Sequence, residues 1–160
     1  MKRRSVALAG VGLSAMLLAA CVSPEENSAV GAINWDRANN GVHWVGINGD
    51  LTNKAQSWAD HLARSSGGNC SMATLQHSNL AVGAPGGWRM LGENVGCRIA
   101  PGDVASFVSP LQQSFMNSPG HRANILNGSF NVTGVGLAWA PASTNNGWYV
   151  VYETQEFAQL

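Results

Sequence analysis

Residues 147–157 constrain the fold more than any other stretch. Read as a strand, they place Tyr149, Val151, Glu153, Gln155 and Phe157 on one face and Trp148, Val150, Tyr152, Thr154 and Glu156 on the other. Both faces are partly apolar, so the strand must be covered on both sides by other layers. Residues 131–139 have a similar composition, and turn-forming residues 141–146 separate the two runs, which predicts an antiparallel hairpin.

The chain ahead of the hairpin reads mainly as helix. Ala55, Trp58, Ala59, Leu62 and Ala63 recur at helical spacing, with Thr52 able to cap. Ile33 to Arg37 predicts a short first helix that ends at the Asn39-Asn40-Gly41 turn signal. Ser109-Pro110-Leu111-Gln112 reads as a capping box whose helix turns Leu111 and Phe115 inward, and residues 103–108 predict a helical turn or two before it. Ser118-Pro119 then starts another short helix, with His121 in its first turn. Residues 67–101 are glycine-rich and read as a long irregular region, a feature that is usually functional or mobile. Helices followed by a hairpin predict an α+β domain, or an α-β-α sandwich if the glycine-rich middle contributes a strand.

The first 20 residues read as a leader rather than as part of the fold. Lys2, Arg3 and Arg4 precede the apolar run from Val6 to Leu18, which is too short for a typical membrane span. Leu18-Ala19-Ala20-Cys21 resembles the lipobox of bacterial lipoproteins, whose cysteine is diacylated and becomes the mature N-terminus. Residues 21–30 then form a lipidated, polar tether, and residues 31–160 form one domain. Cleavage would remove three of the 9 basic residues and leave 6 against 9 acidic ones, so no basic stripe is available for nucleic acid. Membrane attachment would come through the acyl chains on Cys21, in the cell envelope outside the cytoplasm.

With Cys21 used for lipid, Cys70 and Cys97 remain as one pair, which favours a disulfide in an exported protein. Closing that loop would contribute about 3–4 kcal/mol on chain entropy. The loop holds His77 and Glu93.

His77, His121 and Glu93 are the residues with the chemistry to build a site. Two imidazoles are ligands suited to zinc or another first-row divalent cation, with Glu93 nearby as base or hydrogen-bond acceptor. No CxxC pair or HExxH helix occurs, so a closed structural zinc site is not expected and no cofactor is required. A polar cavity without any ion fits the same residues. Ser78 and Ser118 lie near these histidines in sequence, but no GxSxG elbow exists; they read as turn and cap. His43 and His61 read as solvated or locally bonded. Most of the six tryptophans should be core, with Trp88 the one to watch as a cavity or surface contact.

Taken in order, Ile33-Asn34-Trp35-Asp36-Arg37, His77-Ser78, Gly92-Glu93-Asn94-Val95, residues 118–126, Val135-Gly136 and Thr154-Gln155-Glu156-Phe157 resemble the CAP superfamily of cysteine-rich secretory, antigen 5 and pathogenesis-related proteins. The bacterial SCP-domain branch is the nearer likeness. The resemblance implies a three-layer α-β-α sandwich with an antiparallel sheet and a central cleft. In the family that cleft is lined by two histidines and two acidic residues and binds divalent metal in some members; His77, His121 and Glu93 match three of the four. The second acid commonly lies in the helix before the Gly-His motif, where Gln112 to Ser118 has no carboxylate. The implied function is therefore a lipid-anchored binding module for an unknown protein, peptide or lipid, rather than an enzyme. Its rivals are a metal-assisted extracellular peptidase or esterase, with Glu93 catalytic, and a lipid or sterol carrier.

Overall fold

The computed structural model describes residues 22–101, 107–144 and 147–160. The leader, Cys21 and residues 103–106 lie outside the described residues. No described helix is long and apolar enough to cross a membrane.

The first helix, α1 (Pro24–Asn39), starts well before Ile33. Residues 24–30, expected as tether, are helical because Ser23-Pro24-Glu25-Glu26 is itself a helix start. The Ser23 hydroxyl accepts from the Glu26 amide at 3.1 Å, and the Glu26 carboxylate accepts from the Ser23 amide at 2.6 Å. Ala29, Val30 and Ile33 then bury one face. A two-residue strand, β1 (Gly46–Ile47), leads into α2 (Gly49–Ser65). Asn48, not Thr52, caps α2, accepting from the Leu51 amide at 3.0 Å; Thr52 is buried within the helix.

The glycine-rich middle does contribute a strand, β2 (Met90–Pro101). The third and fourth helices follow: α3 (Val108–Asn117) and α4 (Pro119–Ile125). The expected capping box at Ser109 does not form, because Phe107 and Val108 bury and carry the helix start upstream. The Gln112 side chain is drawn instead into a buried chain with Asp36 and Gln155. Ser118 occupies the cap position of α4, although its side chain makes no capping bond. The hairpin forms as expected from β3 (Val132–Pro141) and β4 (Trp148–Gln159).

The sheet has the order β1-β3-β4-β2. Its three long strands are antiparallel as expected, and the short β1 adds an edge that runs parallel to β3. A strand that precedes a helical crossover back to the sheet is free to run parallel. Helix α2 covers one face, where Leu62, Val95, Val150 and Tyr152 cluster. Helices α1, α3 and α4 cover the other, over a core of Ile33, Leu111, Phe115, Ile125, Phe130, Val151 and Phe157. The molecule is thus an α-β-α sandwich with β4 buried on both faces.

The tryptophans other than Trp88 depart from expectation. Trp35, Trp44, Trp88, Trp139 and Trp148 are 40–70% exposed, and Trp58 is half-buried. The layers approach too closely for indoles: a Cβ at Gly134 would lie 2.1 Å from the Thr52 amide nitrogen, and one at Gly136 2.2 Å from that of Gln56. Phenylalanine, leucine and valine fill the interior instead.

Candidate functional site

Glu93 lies on β2, the outer strand of the sheet among the described residues. Alternation along β2 turns Glu93 and Val95 toward α2 and Asn94 and Gly96 toward α3 and α4. Glu93 pairs in register with Glu156 of β4, so two carboxylates stand side by side beneath α2. Lys54 of α2 reaches both: its Nζ bonds the Glu156 carboxylate and the Ser78 hydroxyl and lies 3.7 Å from Glu93 Oε2. All three side chains are only 1–4% exposed.

The electrostatics separate the two acids. Burial pushes the Glu156 carboxyl up, and the neighbouring Glu93 pushes it further, to about 8, despite Lys54. Burial also pushes Glu93 up, but bonds with Glu156, Ser78 and His77 outweigh it and hold Glu93 below the usual carboxylate range. The pair therefore keeps one proton at neutral pH, on Glu156, and one negative charge, on Glu93, opposite the ammonium of Lys54. Oε2 of each carboxylate is buried without a hydrogen-bond partner among the described residues.

Glu93 in turn holds His77. Glu93 Oε1 lies 2.7 Å from His77 Nδ1 and accepts from the Ser78 amide at 2.9 Å. With Glu93 ionised, Nδ1 carries the hydrogen and Nε2 presents its lone pair away from the carboxylate. The loop carrying His77 is tied down by the Cys70–Cys97 disulfide, with S–S 2.02 Å, as the cysteine count anticipates.

His121 comes from the opposite side of the sheet, in the first turn of α4. Its carbonyl accepts from Asn94 Nδ2 at 3.1 Å, and its ring meets Phe115 edge-on at 5.0 Å. Burial lowers its pKa, and the positive charge that His77 carries when protonated lowers it further. Glu93 thus holds His77 directly, and its neighbour Asn94 holds the backbone of His121. His61 stacks on Trp58 and His43 lies 3.2 Å from the Phe130 carbonyl; neither joins them.

Sequence reasoning missed Lys54 and Glu156. The available signal was Glu156 on a strand face expected to be covered, a position a carboxylate occupies only with a partner. It also missed Arg37, fully buried, whose guanidinium donates to the carbonyls of His43, Ile125, Asn127 and Phe130 at 2.7–3.0 Å. A polar chain on the α3 side runs from Asp36 through Gln112 to Gln155, which bonds both Asn94 and Glu153. Glu153 is fully buried, and burial raises its pKa to about 7.

The donor set fits a divalent cation only weakly. His77 Nε2 and His121 are the available nitrogens, while Glu93 stands behind His77 as an orienting group rather than a ligand. Among the described residues, no three His, Cys, Asp or Glu side chains gather into a metal-holding group.

No curated protein matches the sequence. Solved structures do match in fold. An extracellular SCP-domain protein from Bacillus anthracis str. Ames is 22% identical over 85% of this chain, with TM-score 0.58, and this chain spans only 40% of it. MpPR-1i is 16% identical over 84% of this chain and 88% of its own, with TM-score 0.55. An outer surface protein of Borrelia burgdorferi is 13% identical over 84% of this chain and 92% of its own, with TM-score 0.52. Residues 30–153 match the cysteine-rich secretory protein (CAP) family over most of the chain, and the protein belongs to that family.

Proposed function

We propose that this protein is an exported, lipid-anchored CAP-domain binding module whose cleft offers two imidazoles to a divalent cation held weakly. The observation that carries the reading is the bonding of Glu93. A hydrolase needs a carboxylate free to take a proton from water, but Glu93 Oε1 is occupied by His77 and the Ser78 amide, and Oε2 is buried 3.7 Å from the Lys54 ammonium. Glu93 therefore positions His77 and is a poor general base. A cation bound at His77 and His121 would keep most of its coordination sites for water or for a ligand group, consistent with exchangeable binding.

The Leu18-Ala19-Ala20-Cys21 motif supports acylation at Cys21, and the Cys70–Cys97 disulfide supports an oxidising compartment outside the cytoplasm. The names of the Bacillus and Borrelia neighbours, an extracellular and an outer surface protein, agree with that location.

Calorimetric titration of zinc into the purified protein tests the cleft. Binding is expected in the micromolar range or weaker, lost in both His77→Ala and His121→Ala and weakened about tenfold or more in Glu93→Gln. A folded wild type that binds no zinc would remove the cation from this reading. Turnover of a peptide or ester substrate by wild type and not by Glu93→Gln would replace the binding module with a hydrolase. Mass spectrometry of the membrane fraction tests the anchor: an unacylated mature chain would contradict it.

A further inference from the structure

A cavity lies between α2 and the loop after Ser78, with a volume of about 530 Å³. That volume is typical of small-molecule sites. Asp50, Asn53 and Ser57, at i, i+3 and i+7 of α2, form an exposed ladder along it. Lys54, which is buried, and Trp58, which is half-buried, line it more deeply, and the loop contributes Asn79 and Val82. The loop closes over Lys54 at Gly83, whose φ of +78° favours glycine.

The chemistry of this lining is selective. Lys54 Nζ is already engaged by Ser78 and Glu156, so Asp50 supplies the only unpaired charge among the described lining residues. An anionic occupant would meet a carboxylate and no free cation. A wholly apolar occupant fares no better, since Asp50, Asn53 and Ser57 make no side-chain hydrogen bond to described residues and would lose water without replacement. Trp58 adds a rigid aromatic surface: its Nε1 donates to the Gln76 carbonyl at 2.8 Å, and His61 stacks on it at 4.5 Å. Carboxylate, amide and hydroxyl groups beside a fixed indole suit a ring that has hydroxyls on its edge and C–H groups on its face.

We propose that this cavity binds a neutral pyranose unit of a glycan, with the hydroxyls on the Asp50-Asn53-Ser57 ladder and the ring against Trp58. This assignment goes beyond the histidine cleft and does not depend on a cation there.

The test titrates chitotetraose and cellotetraose, an acetamido and a plain neutral oligosaccharide, into the purified protein and follows amide NMR shifts. At least one is expected to bind saturably and to shift residues 50–58 and 78–83. Asn53→Ala should weaken that binding about fivefold or more, and Ser57→Trp, which fills the cavity from an exposed helix position, should abolish it with the thermal midpoint unchanged. The His77→Ala variant should bind the sugar like wild type, which separates this outcome from loss of zinc. Binding of neither sugar to the folded protein, or binding indifferent to Ser57→Trp, would overturn the proposal. Saturable binding of tetra-alanine in place of both sugars would overturn it in favour of a peptide groove.

Discussion

Glu93 and Glu156 face each other across the β2–β4 ladder, and Lys54 is the cation that serves them both. Two buried carboxylates in register on neighbouring strands repel unless one is neutralised and the other is paired. The fold meets both conditions: Glu156 keeps its proton and Lys54 faces the charge on Glu93. Glu93 can then hold the imidazole of His77. A helix on one face of the sheet thereby sets the aim of a histidine at its edge.

Lys54→Met should be strongly destabilising. Removing the ammonium leaves an uncompensated buried carboxylate, a change worth about 3–5 kcal/mol. Urea melts at pH 7 measure it, and Lys54→Met combined with Glu156→Gln should recover part of the loss because fewer acceptors remain unpaired. A single variant within about 1 kcal/mol of wild type would show that Lys54 does not hold the pair.

Most of the fold was legible in the sequence, and so were three candidate site residues, because they leave local signals. The period-2 run of β4, the helical spacing of Ala55, Ala59 and Leu62, and the ordered Gly-Glu-Asn-Val and Gly-His motifs each lie within a few adjacent residues. The partners of those residues were not legible, because they depend on distant contacts. Lys54 reads as one solvated helix residue among others until β4 brings Glu156 beneath it, 102 positions away in sequence. Arg37 likewise finds the carbonyls of Ile125 to Phe130 only after α1 and α4 pack. Strand β2 was obscured because its glycines suggest loop, whereas Gly92 and Gly96 are needed for close approach by Phe130 and Phe115.

Glu153 predicts how stability varies with pH. Its folded pKa is raised from 4.5 to about 7, so the native state binds a proton that the unfolded chain has already released between those values. The stabilising contribution is complete below about pH 4.5 and is lost as pH rises through about 7. The loss is on the order of 3 kcal/mol, since each tenfold change in proton affinity is worth about 1.4 kcal/mol. Glu153→Gln should keep the contact with Gln155 and flatten this part of the profile. Urea melts at pH 5, 6, 7 and 8 decide the matter; parallel profiles for variant and wild type would sink the assignment.

Arg37→Met should cost about 3–5 kcal/mol, since the carbonyls of His43, Ile125, Asn127 and Phe130 all lose the buried guanidinium that donates to them. Arg37→Lys should rescue little, because an ammonium cannot reproduce the planar fork that spans His43, Ile125, Asn127 and Phe130. Hydrogen exchange should quicken at the end of α4 in both variants. Unchanged protection there would show that α4 is held by packing alone.

Gly96→Ala tests how the core positions His121. A Cβ at residue 96 would fall 2.7 Å from two ring atoms of Phe115, so the phenyl group must move. The same ring meets the imidazole of His121 edge-on, with centroids 5.0 Å apart, and a displaced Phe115 exposes more of His121 to water. Overpacking should cost about 1–3 kcal/mol. Because burial is the first cause of the lowered His121 pKa, its release should let that pKa rise toward 6.5, visible in an NMR titration of the imidazole. A destabilised variant with an unmoved His121 pKa would show that the imidazole is shielded by something other than Phe115.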